Sequence, residues 1–515
     1  MSERRHITTA IFYCNGTPHV GSAYEALAAD VFARYWRRRL GRGRVTFLSG
    51  TDEHGDKIRR AALAEDLAPK VYTDRMSALF REAWQGLGVS FDYFVRTTDP
   101  IHERFVQEML RRTHENGDLY FRDYEGLYCV DCERFYPEKE LSGGQLCPVH
   151  NRPVERISEG NYFLRIEKYR EQVRDHIAKN PGFIRPERYR NEALNMLAEP
   201  LTDLCISRPK SRLDWGIELP FDSNYVTYVW YDAFWAYLSV PALAENPGDM
   251  DAAWRRAAEL IACSEHFIGK DILKTHAVYW PPILMAAGLP LFRRLNVHGW
   301  LNFGGQRMSK SSGNVRDPVS YERAFGPDVL RYFVMRELVY GLDGDFSEER
   351  LVQRYNADLA NDLGNFASRV LAMAQRYCQG EVRAVPGADL ETNLQERVGR
   401  KIEELDFKGA LEEIWLLIAE ANNYIVETEP FKLAKDPANA ARVEQILANL
   451  LEILRMLAGF LEPFMPVTSW RLFELLGLNP ESDAAKAASG EGLKPGHRVK
   501  PPIALFPRID RKPAA

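Results

Sequence analysis

Cys129, Cys132, Cys147 and His150 follow a C-x2-C, fourteen residues, C-x2-H pattern. Two such pairs on knuckle-like turns can converge on a tetrahedral zinc ion; with four protein ligands and no open position, the metal is expected to be structural, one per chain. A second group surrounds His19: the stretch "CNGTPHVGSAYE" (Cys14 to Glu25) places an imidazole and glycines where a helix is about to begin. Ser22 with Glu25 three residues later fits a capping box that starts that helix. The unsatisfied N–H groups of such an end favour an anion, often a phosphate. A third group is "GGQRMSKSSGN" (Gly304 to Asn314), in which Lys310 stands among serines and glycines. Ser309 occupies the place where a Walker A loop needs glycine, so this is not a P-loop. Taken alone, such a lysine is ordinarily part of a solvated loop.

These groups need elements to hold them. "RHITTAIFY" is rich in β-branched and aromatic residues and reads as a buried strand leading into the His19 loop. After it, Tyr24, Leu27, Ala28, Val31, Phe32 and Tyr35 recur at helical spacing, giving one apolar stripe. "RVTFLSGTDEHG" is a second strand, delivering Asp52, Glu53 and His54 to its carboxyl end. Strand and helix patterns alternate over residues 1–120, which predicts an α/β domain with a parallel sheet. Residues 121–225 break into short strands and turns around the cysteines and read as an insertion. Alternation resumes over 226–315, including "YVTYVWYDAFWAYL" and "ELIACSEHFIGKDILKTHAVYWPPIL". Residues 316–350 follow this α/β pattern. Residues 351–480 show helical periodicity almost throughout and predict a bundle. Residues 481–515 are a small-residue stretch followed by "PPIALFPRI", which is expected to dock back. The His19 and Lys310 loops would then share the carboxyl edge of one parallel sheet, where doubly wound folds bind nucleotides. "GRGRVT" offers no dinucleotide fingerprint, so nicotinamide chemistry has little support.

At 515 residues the chain should form two to four domains. Its 67 basic and 72 acidic side chains leave a net charge of −5, so any nucleic-acid contact must use local patches. Seven cysteines are too few for a secreted disulfide scaffold of this size, and no apolar run reaches membrane-spanning length. No signal peptide fits before the first strand, so a cytoplasmic location is expected, with no membrane partner.

"PHVGS" followed far downstream by "RMSKS" resembles the paired HIGH and KMSKS signatures of class I aminoacyl-tRNA synthetases. "GTDEHG", "EGLYCVDCERFY", "RPVERISEGNYFLR", "SRPKSRLDWGI", "VWYDA", "FIGKDILKTHAVYWP" and "DLGN" occur in the order of the methionyl-tRNA synthetase family. This resemblance spans nearly the whole chain. It implies a Rossmann-type parallel-sheet catalytic domain split by a zinc-bearing connective insertion, a stem-contact segment, and an α-helical bundle that binds the anticodon. It also implies the reaction: methionine and ATP give methionyl-adenylate and pyrophosphate, and the methionyl group then passes to the terminal adenosine of tRNA(Met), with Mg(2+) accompanying ATP.

By the same resemblance, His19, Ser22 and Lys310 are catalytic, and His19, Gly21, Gly269, Asp271, Arg307, Ser309 and Lys310 bind ATP. Ile11, Tyr13, Asp52, Trp230, Ala233, Tyr237, Ile272 and His276 form the methionine site, with Asp52 on the α-ammonium. Asn365, Arg369 and Phe431 read the anticodon. Taken singly, each of the aromatics is an ordinary core residue. Three positions depart from the commonest family pattern: Ser22 replaces the second histidine of HIGH, Arg307 the first lysine of KMSKS, and Phe431 the anticodon-stacking tryptophan. Arg307 keeps the charge. Ser22 and Phe431 leave room for a rival reading, a synthetase-like paralogue that binds tRNA or amino acid for regulation. Against it, His19, Asp52, Asp271 and Lys310 are retained together. The chain ends soon after the bundle, so a monomer is expected.

Overall fold

The computed structural model describes residues 3–129, 134–136, 138–143, 145–149, 151–307, 316–387, 393–480 and 492–509. The chain forms two compact bodies: Met1–Pro18, Arg42–Trp84 and Ser90–Gly299 make the first, and His19–Gly41, Gln85–Val89 and Trp300–Ala515 the second.

The first body is built on a seven-stranded parallel sheet. Strands β1 (Arg5–Thr9), β2 (Phe12–Tyr13), β3 (Val45–Asp52) and β4 (Tyr93–Arg96) are joined by Ser264–Gly269, Arg294–His298 and Ile184–Arg185. β1 lies between β3 and Ser264–Gly269, so the chain builds outward from β1 in one direction and then returns to build in the other. Between the carboxyl ends of β1 and Ser264–Gly269 lies the switch point at which open α/β sheets bind ligands. β1 and β2 are one interrupted strand: Thr8 pairs with Leu48 and Phe12 with Thr51, so four steps on one side match three on the other. On its other side the same segment keeps its register with Ser264–Gly269, the Ala10 N–H donating to the Phe267 carbonyl (2.9 Å). A core of Trp235, Trp280, Tyr231, Phe105 and Leu295 packs this body.

Residues 121–225 carry the expected short strands, such as Arg134–Tyr136, Leu204–Cys205 and Ser207–Pro209, but also two long ones that were not expected. Leu119–Cys129 and Glu155–Leu164 are long antiparallel partners in a four-stranded sheet, paired from Leu119 with Leu164 to Tyr128 with Glu155. Ile184–Arg185 joins the edge of the parallel sheet through Leu295 and Asn296.

In the second body, α1 (Val20–Leu40) was expected to carry a single apolar stripe, yet every residue from Ala23 to Ala33 is buried. Alanines at 23, 26, 28, 29 and 33 let neighbours approach on the remaining faces. A small sheet pairs Leu301–Phe303 with Gln306–Arg307 and Gly344–Phe346. The bundle comprises Asn365–Cys378, Leu394–Glu403, Phe407–Thr428, Ala440–Leu461 and Pro466–Leu475 around Leu450, Leu451, Leu454 and Leu457. Its first helix continues a segment with wider hydrogen bonding, Tyr355–Gly364. The C-terminal stretch docks back: Tyr355 donates to the Pro507 carbonyl (2.9 Å), and Asn356 exchanges bonds with Ile509 (2.9 and 3.0 Å). Among the described residues no helix is long and apolar enough to cross a membrane.

Candidate active site

Asp52 ends β3 in register with Tyr13, and its carbonyl accepts from the Cys14 N–H (3.0 Å). The two carboxylates at this strand end have different surroundings. Glu53 is wholly buried and accepts two bonds from Arg96 (both 2.7 Å), one from Thr98 (2.6 Å) and one from Thr51 (2.7 Å). Its backbone is also held, by Thr97 on its N–H and the Trp215 indole on its carbonyl. Glu53 is thus structural, since a buried carboxylate needs its charge and lone pairs satisfied, whereas Asp52, 8% exposed, is the last residue of β3, beside Tyr13 of β2.

The strand ends bring together most of the residues expected to line the amino-acid pocket. Ile11 and Tyr13 follow β1, while Ile272 and His276 follow Ser264–Gly269. Trp230, Ala233 and Tyr237 lie on the helical turns Val229–Phe234 and Trp235–Tyr237. His276 is buried, and burial pulls its pKa down to about 4, so the ring is neutral near pH 7. Its tautomer follows from its partners: the Ile272 carbonyl at 3.0 Å can only accept, so Nδ1 carries the proton and Nε2 accepts from the Tyr237 hydroxyl at 2.7 Å. Trp230 and Phe234 stand edge-on to the same ring. A neutral, aromatic wall of this kind suits an uncharged, polarisable side chain.

Next along the edge, Gly269 ends its strand and Asp271 turns back over it. A Cβ at Gly269 would stand 2.6 Å from Asp271 Oδ1 and 3.6 Å from the His298 ring. The glycine therefore makes room for the exposed carboxylate.

The second body carries the His19 loop, and here the expected cap is corrected. Ser22 and Glu25 do not start α1; His19 is the N-cap, its Nδ1 accepting from the Ser22 N–H (3.1 Å) while Ser22 Oγ accepts from the His19 N–H (3.0 Å). Nδ1 is as many bonds from the backbone as the side-chain oxygen of asparagine, which explains how an imidazole can fill the role. Because Nδ1 accepts, the ring proton sits on Nε2. A Cβ at Gly21 would lie 3.0 Å from two atoms of that ring, so Gly21 leaves the imidazole space to fold back. The Val20 N–H donates to the Arg316 carbonyl (2.9 Å), which ties the start of α1 to the residue following the Lys310 loop. Arg316 is itself held over the Phe303 ring, 3.9 Å from its centroid. Arg307 lies on the strand Gln306–Arg307, and Ser309 and Lys310 fall outside the described residues.

Of the four cysteine and histidine positions, Cys132 and His150 also fall outside the described residues. Cys129 and Cys147 are buried in one small cluster with Tyr136. Asn151 donates to the Cys147 carbonyl, and the Cys147 N–H to that of Arg152 (both 2.8 Å), a tight turn compatible with a zinc knuckle. No group of three potential metal ligands occurs among the described residues. In the bundle, Asn365 and Arg369 share a face of Asn365–Cys378, and Phe431, 41% exposed, lies on the short helix Pro430–Leu433.

Sequence reading passed over Asp232 and His102 and noted His54 only by its place. His54 Nδ1 and His102 Nε2 each lie 2.6 Å from a different oxygen of Asp232. The aspartate inside "VWYDA", an acid in an otherwise apolar run, was the available signal.

Residues 5–156 and 147–371 match the family described as tRNA synthetases class I (M), and residues 354–514 match the anticodon binding domain of methionyl tRNA ligase. With the parallel sheet and the helical bundle, this defines a class I aminoacyl-tRNA synthetase. The methionine–tRNA ligase of Caldanaerobacter subterraneus subsp. tengcongensis is 41% identical, with 99% of this chain and 80% of that one covered. That of Streptomyces coelicolor is 40% identical, with 99% and 97% covered. The Mycobacterium tuberculosis methionyl-tRNA synthetase in complex with methionyl-adenylate superposes with a TM-score of 0.91 at 39% identity, covering 98% of this chain and 100% of that one. The apo form of the same protein gives 0.84 at 37% identity, with 99% of each chain covered. The chain belongs to the methionyl-tRNA synthetases, and its activity is that of a methionine–tRNA ligase.

Proposed function

We propose that the chain activates methionine and charges tRNA(Met) through the residues set out above, and the observation that carries this reading is the Val20–Arg316 bond, which ties the flanks of the His19 and Lys310 loops together. In the first body, Asp52 pairs with the methionine α-ammonium. Ile11, Tyr13, Trp230, Ala233, Tyr237, Ile272 and His276 enclose the thioether, selecting by shape because sulfur is a weak hydrogen-bond acceptor. Gly269 admits the nucleotide to the backbone and Asp271 accepts from its ribose. In the second body, His19 Nε2–H, Lys310, Arg307 and the backbone at Gly21 and Ser309 meet phosphate oxygens, and Ser22 holds His19 in place.

The methionine carboxylate oxygen attacks the α-phosphorus, the bond to the bridging oxygen breaks, and pyrophosphate leaves with that electron pair. Charge accumulates on the departing oxygens, so positioned donors and cations serve better than a covalent nucleophile. Magnesium bound to the ATP phosphates would neutralise part of that charge. A hydroxyl of the terminal adenosine then attacks the acyl carbon and AMP departs. Asn365, Arg369 and Phe431 select the tRNA by its anticodon; a phenyl ring still offers a stacking face. Cys129, Cys132, Cys147 and His150 would hold a structural zinc, their thiolates suiting a reducing compartment.

Methionine-dependent ATP–pyrophosphate exchange and tRNA charging, measured separately, test the reading. Lys310→Ala should depress exchange with methionine KM nearly unchanged, because the lysine meets charge that grows in the transition state. Phe431→Ala should spare exchange and slow charging about 10- to 100-fold, the loss of about 1–3 kcal/mol of stacking. Exchange without any charging of a tRNA bearing the CAU anticodon would favour the regulatory paralogue.

A further inference from the structure

Asp232, His54, His102 and Ser239 form a polar cluster closed off from solvent inside the first body. Each oxygen of Asp232 has its own imidazole: Oδ2 lies 2.6 Å from His54 Nδ1 and Oδ1 lies 2.6 Å from His102 Nε2. Nδ1 of His102 continues to Ser239 Oγ at 2.9 Å. A carboxylate only accepts, so both facing nitrogens donate to it, and the other nitrogen of His102 is paired with the Ser239 hydroxyl. Burial opposes the charge on Asp232, and the two imidazoles outweigh that cost, holding its carboxyl below the usual range.

The cluster joins the elements on which the amino-acid pocket rests. His54 is two residues beyond Asp52, just past the end of β3. Asp232 lies on Val229–Phe234, between Trp230 and Ala233. His102 belongs to the helix Pro100–Glu115 and Ser239 begins Ser239–Glu245, so the carboxylate is braced from behind. The His54 ring stands edge-on to Trp215, 5.4 Å between centroids. Apolar residues could fill this space, but they would not fix a distance; paired charge-assisted bonds are short and directional. A pocket that selects a thioether by shape depends on its walls staying within about 0.5 Å of their working separation.

We propose that Asp232 and His54 are positioning residues that set the spacing between Asp52 and the Trp230–Ala233 wall and thereby govern methionine affinity. This rests on the assignment of Asp52 and that wall to the methionine site.

The test compares His54→Leu with His54→Asn in the full chain by methionine-dependent pyrophosphate exchange, with thermal unfolding recorded for each. Asparagine offers an N–H near the position of Nδ1, whereas leucine offers none. His54→Leu should raise methionine KM about tenfold or more with ATP KM within about twofold, and His54→Asn should restore most of the difference. Methionine KM unchanged in His54→Leu, or both KM values raised alike, would overturn the proposal, even with a lowered unfolding temperature. If His54→Leu does not fold, Ser239→Ala removes the brace alone and should still raise methionine KM about two- to fivefold without moving ATP KM; no rise overturns the proposal. Asp52→Ala, run in parallel, separates the two claims. If it leaves methionine KM unmoved, the pocket assignment fails; if it raises KM while His54→Leu does not, only the positioning role fails.

Discussion

Asp30 and Arg331, 301 residues apart in the chain, meet at 2.7 Å with both side chains wholly buried. The rest of the guanidinium is committed to backbone carbonyls: Phe464 at 2.9 Å, Pro463 at 2.8 Å and Leu87 at 3.2 Å. Asp30 also accepts from Arg34 (2.8 Å), which reaches Glu462 and the Gly88 carbonyl at the same distance. One planar, five-donor group therefore holds α1, the helix Pro327–Glu337, the 85–89 segment and the turn before Pro466–Leu475.

Removing that group takes away the donor that three buried carbonyls share and leaves Asp30 with only part of its positive charge, from Arg34. Arg331→Met should cost about 3–5 kcal/mol, the range for breaking a buried ion pair from one side. Arg331→Lys should recover little, since an ammonium cannot span the same fork of acceptors. Urea unfolding of the full chain measures both; a loss under about 1 kcal/mol for methionine would contradict the role given to Arg331.

His19 both caps α1 and, in the proposed function, meets phosphate, and one substitution separates the two. Asparagine is a good cap acceptor without the Nε2–H donor, so His19→Asn should keep stability within about 0.5 kcal/mol while slowing pyrophosphate exchange about 100-fold or more. Near-native exchange by a stable His19→Asn protein would remove the imidazole from the chemistry.

Zinc content is directly measurable. Metal analysis should find one zinc per chain, and Cys147→Ala should lose it together with part of the thermal stability, because a closed ligand set contributes folding energy outright. A metal-free preparation, never exposed to chelator and fully active, would leave the two buried thiols as plain core residues.

Acid should destabilise the fold through its buried histidines. Burial lowers His6 and His276 to about 4, and lowers His266 as well, from an unfolded value near 6.5. Between those limits the unfolded chain binds protons that the folded chain refuses. Stability is therefore intact above about pH 6.5 and falls as pH drops toward 4, by up to about 1.4 kcal/mol per histidine per pH unit. His54 has the opposite sign: burial is outweighed by Asp232, its pKa is raised, and its contribution is complete in acid and lost as pH rises through the raised value. Unfolding midpoints followed from pH 7 to pH 4.5 should show the drop, and His6→Gln should flatten it; a midpoint independent of pH in that window would show that the rings are not held neutral.

What the sequence could and could not disclose divides along range. β3 was readable because a run of strand formers ends in three polar residues, and its register places Asp52 beside Tyr13 as a parallel sheet requires. The capping residue was misread because Ser-x-x-Glu is a pattern of residue types; Glu25 proves to be buried, and the imidazole one turn earlier makes the bond. α1 looked one-sided because alanine is neutral in a periodicity argument, although small residues are what let other elements approach closely. Pairs such as Asp232 with His102, or Arg331 with Asp30, depend on which distant segments the topology brings together. Local spacing carries no record of that.

The Asp30–Arg331 distance along the chain also sets a schedule. At about 5–20 residues per second, a ribosome needs roughly 15–60 s to go from one to the other. For that interval α1, with its run of small apolar side chains and its aspartate, exists without the arginine that will enclose it. The helix capped by His19 is thus made well before the arginine that fastens it. Slowing synthesis between residues 41 and 331 should lengthen this exposed period and make the nascent chain more dependent on chaperones, with no change in the finished protein.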